Sequence, residues 1–145
     1  MSITMNREEI MAIIPHRDPI LLVDEVVSMI PDESIVCKYY VEPGMDVLKG
    51  HFPGMPVFPG VYSTECMGQA ACIMLMTAER YRGKAPLLLS TDKLKFKKKV
   101  APGDTLEIRV SLVSERADKA IANFSGEIFV NGEVVVTGDV ALAMR

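Results

Sequence analysis

An imidazole and a carboxyl group stand close together on a proline-rich stretch of this chain. The run Gly50-His51-Phe52-Pro53-Gly54-Met55-Pro56-Val57-Phe58-Pro59-Gly60 leads into Val61-Tyr62-Ser63-Thr64-Glu65. These are the side chains an enzyme needs to remove one proton and donate another. The sequence holds two histidines; His16 sits in a plain Pro15-His16-Arg17 turn, so His51 is the lead candidate for a base. With a reference pKa of about 6.5, a neutral imidazole is available for that work near pH 7. Which ring nitrogen acts is not written in the sequence.

Glu65 lies too deep in the helix expected after Pro59 to cap it, and no Ser or Thr three positions earlier makes a capping box. It reads either as a surface or salt-bridged glutamate or as a carboxyl group in a poorly hydrated site. In the second case its pKa rises and it can deliver a proton to a departing hydroxyl. Gly60 reads either as a helix-start turn or as an unpaired backbone N–H, backed by the helix dipole, that can hold charge growing on a carbonyl oxygen. Gln69, at i+4 from Glu65, is placed to orient that carboxyl group by a hydrogen bond. Lys93, Lys95, Lys97, Lys98 and Lys99 crowd around Leu94 and Phe96, which reads first as a solvated strand face.

The elements that must position these groups follow from pattern. A short helix is expected over 6–14, capped by Asn6 and stopped by Pro15. A strand over 21–29, a turn at 31–34 and a strand over 35–41 should form an antiparallel pair. Residues 61–81 hold no proline and no turn cluster, so one helix of roughly 30 Å is expected. Residues 70–76 are apolar all round, and such a helix must be buried on every side. Beyond it, Leu106, Ile108, Val110 and Leu112 alternate with polar residues, as do Ala120, Ala122, Phe124, Ile128 and Val130. Asn131-Gly132 is a strong hairpin signal, followed by a last strand through Val134, Val136, Val140, Leu142 and Met144. One buried helix and a curved antiparallel sheet satisfy this pattern.

At 145 residues, with 49% hydrophobic and 24% charged residues, the chain suits one packed domain, expected as α+β over residues 1–145. A net charge of −3 argues against general nucleic-acid binding. No apolar run approaches the roughly 20 residues of a membrane span. The start has no basic-then-apolar leader, so a cytoplasmic protein is expected. Cys37, Cys66 and Cys72 lack zinc-site spacing and read as buried free thiols. The ten methionines read as gap fillers of the core, although a flexible apolar ligand would suit them too.

Taken together, these residues resemble the (3R)-hydroxyacyl-acyl-carrier-protein dehydratases of type II fatty acid synthesis, with the hot-dog fold. The likeness runs nearly end to end. It includes Pro15-His16-Arg17, Leu21-Leu22-Val23-Asp24, Gly50-His51-Phe52-Pro53-Gly54, Phe58-Pro59-Gly60-Val61, Glu65 with Met67 and Gln69-Ala70, Phe96-Lys97 and Pro102-Gly103-Asp104. The resemblance implies a long central helix wrapped by a curved antiparallel sheet. It implies His51 as base, Glu65 as acid facing the histidine of a neighbouring subunit, and Gly60 as oxyanion donor, with neither metal nor organic cofactor. Phe52, Phe58, Met67, Gln69 and Phe96 are the substrate-binding candidates. The implied partner is an acidic acyl carrier protein, which Lys95, Lys97, Lys98 and Lys99 would steer toward the site. A homodimer is expected, with a trimer of dimers beyond it; the sequence leaves dimer against hexamer open.

The chain departs from the family's common pattern at Lys99, Cys66 and Gly68. Gly68 inside a helix costs about 1 kcal/mol against alanine, which suggests close packing there, against another helix or an acyl chain. Chain-length preference and any trans-2/cis-3 isomerase activity stay open. A thioesterase on the same fold, in which a carboxylate activates water, is the competing enzyme class. A non-catalytic carrier-binding module is the third.

Overall fold

The computed structural model describes residues 2–145; Met1, the first residue of the expected domain, lies outside them. Helix α1 (Arg7–Ile13) starts where its cap predicts. The Asn6 side chain accepts from the Glu9 N–H and the Glu9 carboxylate accepts from the Asn6 N–H, each at 2.9 Å. This reciprocal box satisfies donors that the first helical turn leaves free.

The strand expected over 21–29 forms only in its second half. Strand β1 (Glu25–Ile30) pairs antiparallel with β2 (Ser34–Tyr40), as anticipated. Leu21, Leu22 and Val23 are buried but stand outside the ladder. The Leu22 N–H donates at 2.9 Å to the Gln69 side-chain oxygen, so a distant glutamine provides the acceptor that a strand would have provided.

After β2 a short helix, α2 (Asp46–Gly50), brings the chain to His51. Helix α3 (Gly60–Met76) follows Pro59, and Cys66 through Leu75 are all buried, as an all-round apolar segment requires. It is shorter than the expected run to residue 81. The Thr77 hydroxyl donates to the Met74 carbonyl at 2.7 Å, Ala78 is extended, and Glu79–Tyr81 forms a separate tight turn. Tertiary contacts draw that turn onto the sheet. Tyr81 is buried with its hydroxyl on Glu115, and Arg80 bridges Asp32 and Glu115, a pull that helix propensity does not register.

Strands β3 (Pro86–Phe96), β4 (Thr105–Arg116), β5 (Ile121–Val130) and β6 (Glu133–Met144) complete an all-antiparallel sheet ordered β1-β2-β4-β5-β6-β3. Strand β4 buries Leu106, Ile108 and Val110 and leaves Arg109 and Ser111 in solvent. Asn131 and Gly132 both adopt positive φ, 50° and 80°, the two-residue turn whose twist suits a hairpin. Helix α3 packs against β2 to β6, so the sheet wraps it in the hot-dog arrangement. Two glycines facing each other in register, Gly126 and Gly138, admit this packing: Met67 lies against the first and Leu94 against the second. Strand β3 is an edge, and Leu87, Leu88 and Leu89 on it are about half exposed.

Candidate active site

His51 caps the end of α2 and is held by two bonds to one residue. The His51 carbonyl accepts from the Val57 N–H at 2.7 Å, and its ring Nδ1 lies 2.9 Å from the Val57 carbonyl oxygen. A carbonyl only accepts, so Nδ1 carries the hydrogen and the neutral ring presents Nε2 as a bare lone pair. Between these residues, Phe52 and Met55 exchange backbone bonds of 3.3 and 2.9 Å around Pro53-Gly54, with Gly54 at φ 74°. Proline then glycine at positive φ is the type II turn combination. The peptide bond joining His51 to Phe52 is cis. Phe52 is half exposed, its ring 4.1 Å from that of His51.

Gly60 opens α3, and among the described residues its N–H meets no acceptor. The Phe96 ring lies directly on it: a Cβ at position 60 would come within 2.9 Å of Phe96 Cε1. Glycine is required there by close approach rather than by backbone angle. Gly60, Phe58, Ser63, Phe96, Lys98 and Lys99 line a groove of about 290 Å³. Four residues proposed from sequence for substrate-binding or carrier roles, Phe58, Phe96, Lys98 and Lys99, thus share one surface with the oxyanion candidate Gly60. Phe58 is buried in its wall between Tyr39 and Tyr62, at ring distances of 5.8 and 5.7 Å.

Glu65 projects from α3 with its side chain 31% exposed. Gln69 donates to Glu65 Oε2 at 2.7 Å, as the i+4 spacing predicts, and also to the Ile20 carbonyl at 2.7 Å. The Gln69 oxygen accepts from Leu22, so the amide is fully buried, engaged at both ends and fixed in orientation. No hydrogen bond or ion pair joins Glu65 to His51 among the described residues; each is held by its own neighbours.

Sequence reasoning passed over His16. Its Nε2 lies 3.8 Å from Glu65 Oε2, and its Nδ1 is buried without a hydrogen-bond partner among the described residues. Burial lowers its pKa below the ordinary 6.5, with Glu65 opposing the shift and Arg17 adding to it. Arg17 donates to the carbonyls of Met11, Ile14 and His16 at 2.7 to 3.0 Å, which turns Pro15-His16-Arg17 into a braced corner rather than a plain turn. The signal was present in that tripeptide, whose arginine can satisfy the free carbonyls at the end of α1.

The remaining candidates separate. Met67 is fully buried against Gly126 on the sheet side of α3, whereas Phe52 and Phe96 are half exposed. Close packing of another element on Gly68 is not found among the described residues: a Cβ there would meet nothing within 4 Å beyond its own helix. Lys98 pairs with Glu133, Lys95 and Lys97 lie beside Glu127 and Asp139, and Lys98 and Lys99 border the groove at Gly60. The three cysteines are buried and free, and burial pushes the Cys72 thiol up to about 12. A larger cavity, about 730 Å³, lies between Arg7, Asp24, Tyr39 and Tyr62 and touches neither His51 nor Glu65. Among the described residues no helix is long and apolar enough to cross a membrane, and no three His, Cys, Asp or Glu side chains gather as a metal site.

Known proteins share both sequence and fold. The FabA-like domain family matches residues 14–139. A 3-hydroxyacyl-acyl-carrier-protein dehydratase FabZ of Clostridium perfringens is 41% identical over 135 residues, covering 90% of this chain and 96% of its own. The enzyme of the same name from Enterococcus faecalis is 41% identical over 131 residues, covering 90% and 92%. Among solved structures, the dehydratase heterocomplex ApeI:P from Xenorhabdus doucetiae superposes with a TM-score of 0.78 at 23% identity, over 94% of this chain and 90% of that one. A hypothetical thioesterase with coenzyme A from Streptococcus pneumoniae superposes at 0.61 with 12% identity, over 93% and 90%, which reflects the common fold.

Proposed function

This chain belongs to the FabA-like family and is a 3-hydroxyacyl-acyl-carrier-protein dehydratase of fatty acid biosynthesis; from that premise we propose how its residues divide the reaction. His51 Nε2 takes the proton from the carbon next to the thioester carbonyl of a (3R)-3-hydroxyacyl group. Charge moves onto the carbonyl oxygen, where the Gly60 N–H at the head of α3 receives it. Glu65 gives its proton to the 3-hydroxyl, the carbon–oxygen bond breaks, and water leaves the trans-2-enoyl thioester. The proton gained by His51 returns to Glu65 through the released water, which closes the cycle. Two side chains move every proton, so the reaction requires neither metal nor organic cofactor.

The observation that carries this reading is the His51–Val57 pairing, which leaves Nε2 as the free, unprotonated nitrogen of a fixed ring. General acid and base groups each contribute roughly 10²- to 10⁴-fold when held this way.

His51 and Glu65 of the working site come from different subunits in this reading. Among the described residues of one chain no hydrogen bond or ion pair joins them, and β3 offers an unpaired edge with Leu87, Leu88 and Leu89 exposed. Such an edge invites pairing with a second copy. The homodimer is then the smallest active unit, and a trimer of dimers its larger assembly. The acyl carrier protein docks at Lys95, Lys97, Lys98 and Lys99 and passes its arm along the groove to Gly60. Phe52, Phe58 and Phe96 line the approach, with Gln69 deeper along α3, whereas Met67, packed on Gly126, supports the helix from the sheet side rather than lining the path. Gly68 stands at i+3 from Glu65 on the same face of α3, and the open space beside it accepts the acyl chain or the second helix. The work is placed in the cytoplasm.

One assay tests the reaction. Offered a 3-hydroxyacyl carrier thioester, the protein should form the enoyl thioester; release of free carrier thiol without enoyl product would support a thioesterase instead.

A further inference from the structure

The proton that Glu65 donates needs one oxygen of the carboxyl group to be the donor and the other to be held. Oε2 is the held one. It accepts from Gln69 at 2.7 Å, and His16 Nε2 lies 3.8 Å from it. An oxygen facing N–H donors carries lone pairs rather than hydrogen, so in the neutral carboxyl group the hydrogen sits on Oε1.

The state of the His16 ring follows from its other nitrogen. Nδ1 is buried and meets no acceptor among the described residues, so a hydrogen placed there would be stranded. Imidazolium needs acceptors for both ring hydrogens and is therefore disfavoured. The neutral tautomer with hydrogen on Nε2 aims its one donor at Glu65. Burial, which keeps the ring below its ordinary pKa, acts in the same direction, and Arg17 adds to it. The charged groups facing the ring are Glu65 from α3 and Arg17 from its own segment.

We propose that His16 is a positioning residue: as the neutral Nε2–H tautomer it closes with Gln69 on Oε2 of Glu65, leaving Oε1 to carry the proton to the substrate hydroxyl. This rests on Glu65 being the acid. Arg17, tied to the carbonyls of Met11, Ile14 and His16, fixes the corner that carries the ring. At 3.8 Å the contact is looser than a hydrogen bond and has to shorten in the substrate complex, as catalytic bonds commonly do on binding. His16 exchanges no proton with the substrate; it decides which oxygen of Glu65 does.

Three variants test this. His16→Phe keeps the ring volume without a donor, His16→Gln can return an N–H to the position of Nε2, and His16→Asn places one nearer Nδ1. His16→Phe should lower kcat by about 100-fold, the scale of a small misplacement of a reacting group, while KM for the 3-hydroxyacyl carrier thioester stays within about twofold, as loss of an interaction made in the transition state requires. His16→Gln should restore most of the loss and His16→Asn should not. Equal activity in all three, or losses that track thermal stability alone, would overturn the proposal. A second measurement needs no turnover: ¹⁵N spectra of the resting protein near pH 7 should show His16 protonated at Nε2 and bare at Nδ1, and the opposite tautomer or an imidazolium would also overturn it. Glu65→Gln separates the two ideas. If that variant stays active, the acid assignment itself fails; if it is inactive while His16→Phe is normal, only the role of His16 fails.

Discussion

His51 and Val57 exchange two hydrogen bonds, backbone N–H to carbonyl at 2.7 Å and ring Nδ1–H to carbonyl at 2.9 Å. A ring fixed by its own loop keeps its base whether or not substrate is present. His51→Ala should therefore lower kcat by roughly 100- to 10,000-fold, the span of a general base. Far-ultraviolet circular dichroism and Tm should stay close to those of the parent, because the ring removed is only partly buried and the backbone bond to Val57 survives. Retained turnover would remove His51 from the mechanism.

Gln69 answers to three residues at once. It meets Glu65, Ile20 and Leu22, and it is fully buried. Gln69→Leu would strand the Leu22 N–H and the Ile20 carbonyl, each costing about 1–3 kcal/mol when buried without a partner. A clear fall in Tm is expected, with kcat reduced because Glu65 loses its donor. Gln69→Glu should be worse for activity, since a second carboxyl group at i+4 repels the first. Differential scanning calorimetry beside an enoyl-forming assay reads both effects.

These residues also show how far the sequence could be read. The Asn6 cap, the Asn131-Gly132 turn, the alternation along β4 and the Glu65–Gln69 spacing are local rules, and local rules were kept. The misses came from long-range partners. Leu21, Leu22 and Val23 look like a strand, but the acceptor for Leu22 sits 47 residues away on α3. Residues 77–81 look helical, but Tyr81 and Arg80 are drawn to Glu115 on β4. His16 resembled a turn residue because nothing in its neighbourhood of sequence reveals that Glu65 lies beside it. Helix α2 is too short for any periodic signal.

Subunit sharing has its own test. His51→Ala and Glu65→Gln homodimers should each be inactive, while mixed subunits should regain activity as heterodimers carrying one intact site. A complete failure to recover, with exchange verified by mass spectrometry, would place both groups in one chain. Leu88→Lys on the free edge of β3 should weaken the dimer, so that specific activity falls on dilution in step with the mass measured by light scattering.

Stability should fall with acid in two stages whose signs follow from opposing environments. Burial lowers the His16 pKa from 6.5, so the native state binds this proton less readily than the unfolded chain, and stability declines as pH drops below that value. Glu115 follows at lower pH. Its hydrogen bond from Arg80 holds the carboxyl group below its ordinary 4.5, so the contribution is whole above that value and lost as pH falls through the folded-state value. Asp24 opposes both, because burial raises its pKa above 3.8: the native state takes up this proton first, and the loss is partly offset in that interval. Tm measured from pH 7 downward should therefore slope early, and His16→Asn should flatten the slope beginning near 6.5 while Glu115→Gln flattens the later fall. Parallel curves for parent and both variants would show that acid unfolds the protein through other groups.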